Sequence, residues 1–291
     1  MKNKYAFKTG AAMPPRLFPD KTISIELLRE KTKMKPLTRE GAMQMLNKVP
    51  EVTLYFWIIK IMCTTVGETA ADFLNADLHF GLTGTSIVMG ILLAIALVMQ
   101  LRSTKYVPWL YWVVVVLVSI VGTLITDNLV DNFGIPLEST TIFFSMALLA
   151  TFVAWYASEK TLSIHTVFTK RRELFYWAAI LFTFALGTAA GDLAAEGLSL
   201  GYAKSALIFG GMIAIVAIAY YGFKVNAIWA FWIAYILTRP LGASLGDYLS
   251  QPIANGGLGL GAAVTNMIFF SAIVGLVIYL TITRQDVKEA I

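Results

Sequence analysis

Four stretches of this chain repeat one another: FWIIKIMCTTVGETAADFL, YWVVVVLVSIVGTLITDNL, YWAAILFTFALGTAAGDLA and FWIAYILTRPLGASLGDYL. Each carries an aromatic-Trp pair, a Gly ten residues after the Trp and an Asp five residues after the Gly. The triplets are Trp57, Gly67, Asp72; Trp112, Gly122, Asp127; Trp177, Gly187, Asp192; and Trp232, Gly242, Asp247. The chain has only eight Asp, so four at one offset from Trp are not a coincidence of composition. Repetition of this kind requires one structural unit used four times. Trp57 to Trp177, Trp112 to Trp232 and Trp109 to Trp229 are each separated by 120 residues, as are Gly81 to Gly201 and Gly90 to Gly210. The first pair of units therefore matches the second better than neighbours match each other, as a doubling of a doubled unit would leave it.

The units are apolar enough to name their solvent. Of 291 residues 57% are hydrophobic and 14% charged, against about 25% charged in an ordinary soluble domain. Apolar runs of roughly 20 residues, the length that spans a hydrocarbon core, lie near 52–74, 84–101, 107–130, 139–158, 173–195, 203–222, 226–249 and 259–282. The expected fold is an all-α polytopic membrane protein with eight transmembrane helices, two per repeat. Because each repeat holds an even number of spans, all four enter from the same side and are parallel repeats. The division follows: a basic tail at 1–50, a first four-helix half at 51–165, a second at 166–284 and a short terminus at 285–291. Thr38 is the expected N-cap of an amphipathic helix in the tail, with Met43, Met45 and Leu46 on its apolar face.

Orientation follows from the basic residues. With the N-terminus inside, the inner segments hold twenty Lys or Arg, eleven of them in the tail, and the outer loops hold only Lys204. Lys60 and Arg239 fall within spans. Both termini are thus expected on the cytoplasmic side. The net charge of +5 combines +11 on the inner segments (20 basic, 9 acidic) with −6 on the spans and outer loops (3 basic, 9 acidic). Basic residues gathered on one side set topology, so no nucleic-acid partner is expected. One cysteine, Cys63, and two histidines exclude a disulfide framework and a Cys/His metal cluster.

Four tandem two-helix repeats, each with its Trp, resemble the bacterial integral membrane proteins described only as carrying a repeat of unknown function, often called uncharacterised membrane-anchored proteins. The resemblance covers residues 52–283. It implies a multi-pass protein of the bacterial inner membrane and supplies no activity.

The motif helices carry nearly all the polar groups of the spans and are expected inside, with the second helix of each repeat facing lipid. If Trp marks the cytoplasmic interface, the Asp lies about 22 Å further along, in the outer part of the membrane. A charge there is costly and has to face a cavity, a partner or water. Steps of four residues keep to one helical face. Behind each Asp lie Glu68 and Thr64, Thr123 and Ser119, Thr188 and Phe184, and Ala243 and Arg239; ahead lie Ala76, Asp131, Glu196 and Gln251. Four copies gather Asp72, Asp127, Asp192 and Asp247 at one depth, where their charge has to be met by protons, a cation or a base.

These residues suggest a gradient-driven secondary transporter or exporter of a small cation, not an enzyme. Asp72, Asp127, Asp192, Asp247 and Glu68 are the expected ion or proton ligands, and the same four aspartates the metal ligands. Thr123, Thr188, Asn128 and Ser244 would complete the shell, and Arg239 and Lys60 would compensate charge. Oxygen donors suit a hard divalent cation such as Mn²⁺, Mg²⁺ or Ca²⁺. No covalent cofactor is expected; the partners are membrane lipid and the small cation or proton, and the oligomeric state stays open, a homodimer included. The alternatives are a passive cation channel, a scaffold recruited through the basic tail, an organic-solute carrier using Arg239, and aspartates that only hold the bundle together. The AGD and LGD triplets ending at Asp192 and Asp247 lack the first Gly of an intramembrane aspartyl protease, and the run Gly256, Gly257, Gly259, Gly261 follows no strand, so it reads as an outer loop and not a nucleotide site.

Overall fold

Helix starts and stops follow local chemistry. Thr53 accepts from the Phe56 N–H, Thr169 from Arg172 and Asn226 from Ile228, each satisfying a donor of a first turn. Pro108 opens another helix, where its missing N–H costs nothing. Lys160, Lys224 and Arg284 end three helices in the left-handed conformation, placing a cation at the negative pole of the helix dipole. The computed structural model describes residues 47–287, so the helix expected from Thr38 lies outside the described residues. Among the described residues there are eight long helices and no strand: α1 Leu54–Asp72, α2 Gly81–Arg102, α3 Pro108–Asp127, α4 Leu137–Glu159, α5 Lys170–Asp192, α6 Tyr202–Phe223, α7 Ala227–Ser250 and α8 Ala262–Thr283.

Seven of these helices are long and apolar enough to cross a membrane, which makes this a multi-pass membrane protein. The exception is α1, which carries Lys60, Glu68 and Asp72 in 19 residues. It can afford them because it is enclosed by protein. The four motif helices form a closed ring, α1 against α3, α3 against α5, α5 against α7 and α7 against α1. The remaining helices lie outside, α2 along α3, α4 along α5, α6 along α7 and α8 along α1. The second helix of each repeat thus covers the first helix of the next, and α8 closes the circle. Their outer faces are apolar; in α6 the one buried residue is Ser205.

The motif glycines make the ring possible. A Cβ on Gly67 would lie 1.9 Å from Ser119 Oγ, and on Gly122 2.7 Å from Phe184 Cβ. On Gly187 it would lie 2.3 Å from Arg239 Cγ, and on Gly242 1.9 Å from Thr64 Oγ1. Each Gly therefore receives the side chain that stands eight residues before the Asp of the next repeat, and the fourth receives that of the first. This is small-residue packing of membrane helices, carried round a ring.

One end of the ring is closed. The motif Trp residues, expected at the lipid interface, instead pack within the protein: Trp112, Trp177 and Trp232 are buried and Trp57 is partly so. Trp112 packs against Phe56, Tyr111 against Trp177, and Trp57 against Phe231. It is Trp109 and Trp229, another pair 120 residues apart, that are exposed. Beneath the aromatic layer the segment before α1 crosses the bundle. Lys48 Nζ lies 2.6 Å from Glu173 Oε2, whose other oxygen accepts from Gln100 at 3.2 Å, and the Lys48 N–H reaches Val167 O. Tyr106 donates to buried Asp286 at 2.6 Å, and the Asp286 carbonyl accepts from the Glu51 N–H.

Candidate functional site

Because the motif helices start together at the aromatic end, they are parallel and their aspartates meet at the other end. Taking every fourth residue back from Asp on each helix gives layers around one axis. The first is Asp72, Asp127, Asp192 and Asp247; the second Glu68, Thr123, Thr188 and Ala243; the third Thr64, Ser119, Phe184 and Arg239. Below them come Lys60, Val115, Ile180 and Tyr235, then Phe56, Tyr111, Tyr176 and Phe231. All members of the second, third and fourth layers are buried. The hydroxyls of Tyr111 and Tyr176 meet at 2.5 Å and close the axis at the aromatic end.

The aspartate end is a cavity of about 160 Å³. Seven carboxylates line it: Glu68, Asp72, Asp127, Asp131, Asp192, Glu196 and Asp247, with Asn75, Thr126 and Gln251 among the rest and no Lys, Arg or His. Its floor is buried Glu68 and Asp247, and its rim is exposed Asp131 and Glu196, so the cavity opens to the protein surface at this end. None of the four motif carboxylates accepts a hydrogen bond from another described residue. One oxygen each of Glu68, Asp192 and Asp247 lies within 4.8 Å of the others, close enough for the three carboxylates to share one ion.

After Asp72, Asp127 and Asp192 the helix widens into a π turn, over Phe73–Asp77, Asn128–Asn132 and Leu193–Gly197. Leu78, Phe133 and Leu198 donate five residues back, to Phe73, Asn128 and Leu193. The backbone therefore stays helical past these three aspartates, and in the second and third repeats it carries Asp131 and Glu196 to the rim. π turns of this kind gather at functional sites. The fourth repeat differs: α7 runs through Asp247 to Ser250, and Pro252 follows.

Directly below the carboxylates lies the Arg239 guanidinium, fully buried. Its Nη2 donates to Glu68 Oε2 at 2.8 Å, to Thr188 Oγ1 at 2.7 Å and to Thr123 Oγ1. Nη1 reaches Thr64 O at 3.4 Å, and Nε has no partner among the described residues. One side chain from each of the other three repeats, at the same repeat position, thus holds the arginine of the fourth. Arg239, expected to compensate charge, forms an ion pair with Glu68. Thr123 and Thr188, expected as ion ligands, instead serve the guanidinium.

Three further expectations need correction. Asn128 does not line the cavity; its Nδ2 donates to Ser86 Oγ at 2.9 Å and Leu124 O at 2.6 Å, tying α3 to α2. One residue past Asp127 is about 100° round the helix, which turns it off the axis. Ser244 is buried beside Ala243 but outside the cavity lining. Lys60 forms no ion pair with a carboxylate among the described residues. Its ammonium donates to Tyr235 O at 3.1 Å and to Thr238 Oγ1, and sits 3.9 Å from the centroid of the Tyr235 ring. There the ring face supplies part of the counter-charge. The aromatic partners of Lys60 had no sequence signal, because Phe184 and Tyr235 depart from the repeat at their positions. Asp131 and Glu196 had one, four residues beyond the motif Asp.

No curated protein and no solved structure matches the chain. The repeat described as Repeat of Unknown Function (DUF347) matches residues 55–106, 110–161, 175–226 and 230–286, which are the pairs α1–α2, α3–α4, α5–α6 and α7–α8. The matched segments cover most of the chain and coincide with the four motif-bearing units, so the protein belongs to this family of four-repeat membrane proteins.

Proposed function

We propose that this protein is a membrane transporter for a small hard cation, a divalent metal such as manganese, moved by secondary transport through the acidic cavity. The observation that carries the reading is the excess of charge: seven carboxylates line one small cavity, and the nearest cation, Arg239, pairs with only one of them. Negative charge held so densely beside apolar helices calls for a mobile cation or protons. The donor set is oxygen throughout, which suits Mn²⁺, Mg²⁺ or Ca²⁺.

In this reading α1 is the eighth span, both termini face the cytoplasm, and the acidic cavity opens toward the opposite side of a bacterial inner membrane. The two four-helix halves, 51–165 and 166–284, would rock against each other along α1–α7 and α3–α5. A permanently open channel fits less well, since Arg239 and the Tyr111–Tyr176 contact stand on the axis below the cavity. Passage would require the closed end to open, and the Lys48–Glu173 pair is the contact to break there.

The test is uptake of Mn²⁺ into proteoliposomes with an imposed proton gradient. Saturable uptake, lost in Asp192→Asn and Asp247→Asn while their melting temperatures stay close to wild type, is the expected result. Undiminished uptake in both variants, or none in the wild type across Mn²⁺, Mg²⁺ and Ca²⁺, would sink the proposal.

A further inference from the structure

Glu68 has two allegiances. One of its oxygens belongs to the group with Asp192 and Asp247, and its Oε2 holds Arg239 at 2.8 Å. Asp192 and Asp247 have no such partner, although Asp247 is only 8% exposed. The guanidinium has other supports, Thr188 and Thr123 at Nη2 and the Thr64 carbonyl at Nη1, so it would remain anchored if Glu68 let go. Its buried Nε, which bonds nothing among the described residues, marks a donor available to a rearranged arginine. The backbone beside it also lacks one hydrogen bond: Pro240, the next residue, offers no N–H to the Ile236 carbonyl and interrupts the ladder of α7 at this level.

We propose that Arg239 is a tethered rival of the transported cation, competing with it for Glu68. This rests on the transport reading of the cavity and specifies how the site releases its ion. With no cation present the guanidinium occupies Glu68. An entering divalent cation, drawn by Asp192 and Asp247, takes Glu68 as its third ligand, and Arg239 withdraws onto Thr123 and Thr188. When Arg239 returns to Glu68, the ion loses that ligand and leaves. The arginine thus lowers affinity and makes binding reversible, and while the aromatic end is closed it stands on the axis below the ion whether or not the ion is bound, which separates an exchange site from a permanently open pore. Arg239 is a positioning residue here: it acts on the ion through Glu68.

The experiment is Mn²⁺ titration of the purified full-length protein in detergent, with free Mn²⁺ counted by electron paramagnetic resonance. Arg239→Gln keeps the Cβ and Cγ that fill the notch over Gly187 and removes the charge. It is expected to bind Mn²⁺ on the order of tenfold more tightly than wild type, about 1.4 kcal/mol. Arg239→Lys keeps a cation beside Glu68 and is expected to stay close to wild type. Should Arg239→Gln fail to fold, the wild type supplies the second measurement: in ¹⁵N-arginine-labelled protein, saturating Ca²⁺ is expected to shift the resonance missing from Arg239→Lys. The rival role is overturned if Arg239→Gln binds Mn²⁺ no more tightly than wild type, or if Ca²⁺ leaves that resonance in place, while Asp247→Asn abolishes binding; the cation site itself then stands. Absence of saturable Mn²⁺ and Ca²⁺ binding in the wild type overturns both.

Discussion

Replacing Gly67 by Ala tests the ring at its tightest contact. The added methyl would lie 1.9 Å from Ser119 Oγ, 2.5 Å from its Cβ and 3.0 Å from its carbonyl carbon. A rotamer change of Ser119 removes the first contact only, so α1 and α3 have to separate. Overpacking of a buried site costs about 1–3 kcal/mol, and with backbone in the way the upper end applies. The same substitution at Gly211, on the outside of α6 with open space around it, meets no atom within 4 Å and should gain up to about 1 kcal/mol of helix propensity. In a chain near this size about 2–4 °C of melting temperature corresponds to 1 kcal/mol, so Gly67→Ala should melt roughly 6–12 °C below wild type and Gly211→Ala at or slightly above it. Thermal unfolding in detergent, followed by circular dichroism, is the assay. The double variant Gly242→Ala, Thr64→Gly should recover part of the loss of Gly242→Ala alone, because Thr64 Oγ1 and Cβ are the atoms struck. If Gly67→Ala and Gly242→Ala melt with wild type, the motif glycines are not where the helices touch, and the ring is wrong.

The closed end makes its own predictions. Glu173→Gln leaves buried Lys48 without its carboxylate and should cost about 3–5 kcal/mol, read in the same unfolding assay; a loss under about 1 kcal/mol would mean that the pair is not desolvated. Burial holds the Asp286 carboxyl above its ordinary range, partly offset by the hydroxyl of Tyr106. A raised folded-state value contributes stability that is complete below the ordinary carboxylate range and lost as the pH climbs through the folded value. Asp286→Asn should therefore gain on wild type as pH rises from about 3 to 7, and parallel melting curves across that range would contradict it. Tyr111→Phe leaves the buried Tyr176 hydroxyl without its partner and should cost about 1–3 kcal/mol, whereas Tyr111→Phe with Tyr176→Phe should cost less than either alone; additive losses would show that the hydroxyls do not pair.

The sequence exposes the axis of this protein more readily than its ends. A stripe with period four, anchored on four of only eight Asp, is legible because helical geometry puts such residues on one face whatever the neighbours do. Arg239 is legible for the same reason, as a charge inside an apolar run. Asn128 is adjacent to Asp127 in sequence but not at the site, because the same geometry turns it toward Ser86. The motif Trp residues misled too: a Trp at the end of a span commonly sits at the lipid interface, and only the ring, formed by helices from all four repeats, buries three of them. The π turns have no local signature, since a carbonyl accepting from five residues ahead instead of four is decided by how the helices meet. Lys48 and Glu173 stand 125 positions apart, and nothing in either neighbourhood announces the other.

The central claim is that a cation is held between Glu68, Asp192 and Asp247, and crystals soaked in Mn²⁺ test it most directly. Anomalous diffraction at the manganese edge is expected to give one peak bounded by these three carboxylates, absent in crystals of Asp247→Asn. An acidic cavity without a peak at saturating Mn²⁺, or a peak confined to the rim at Asp131 and Glu196, would contradict it.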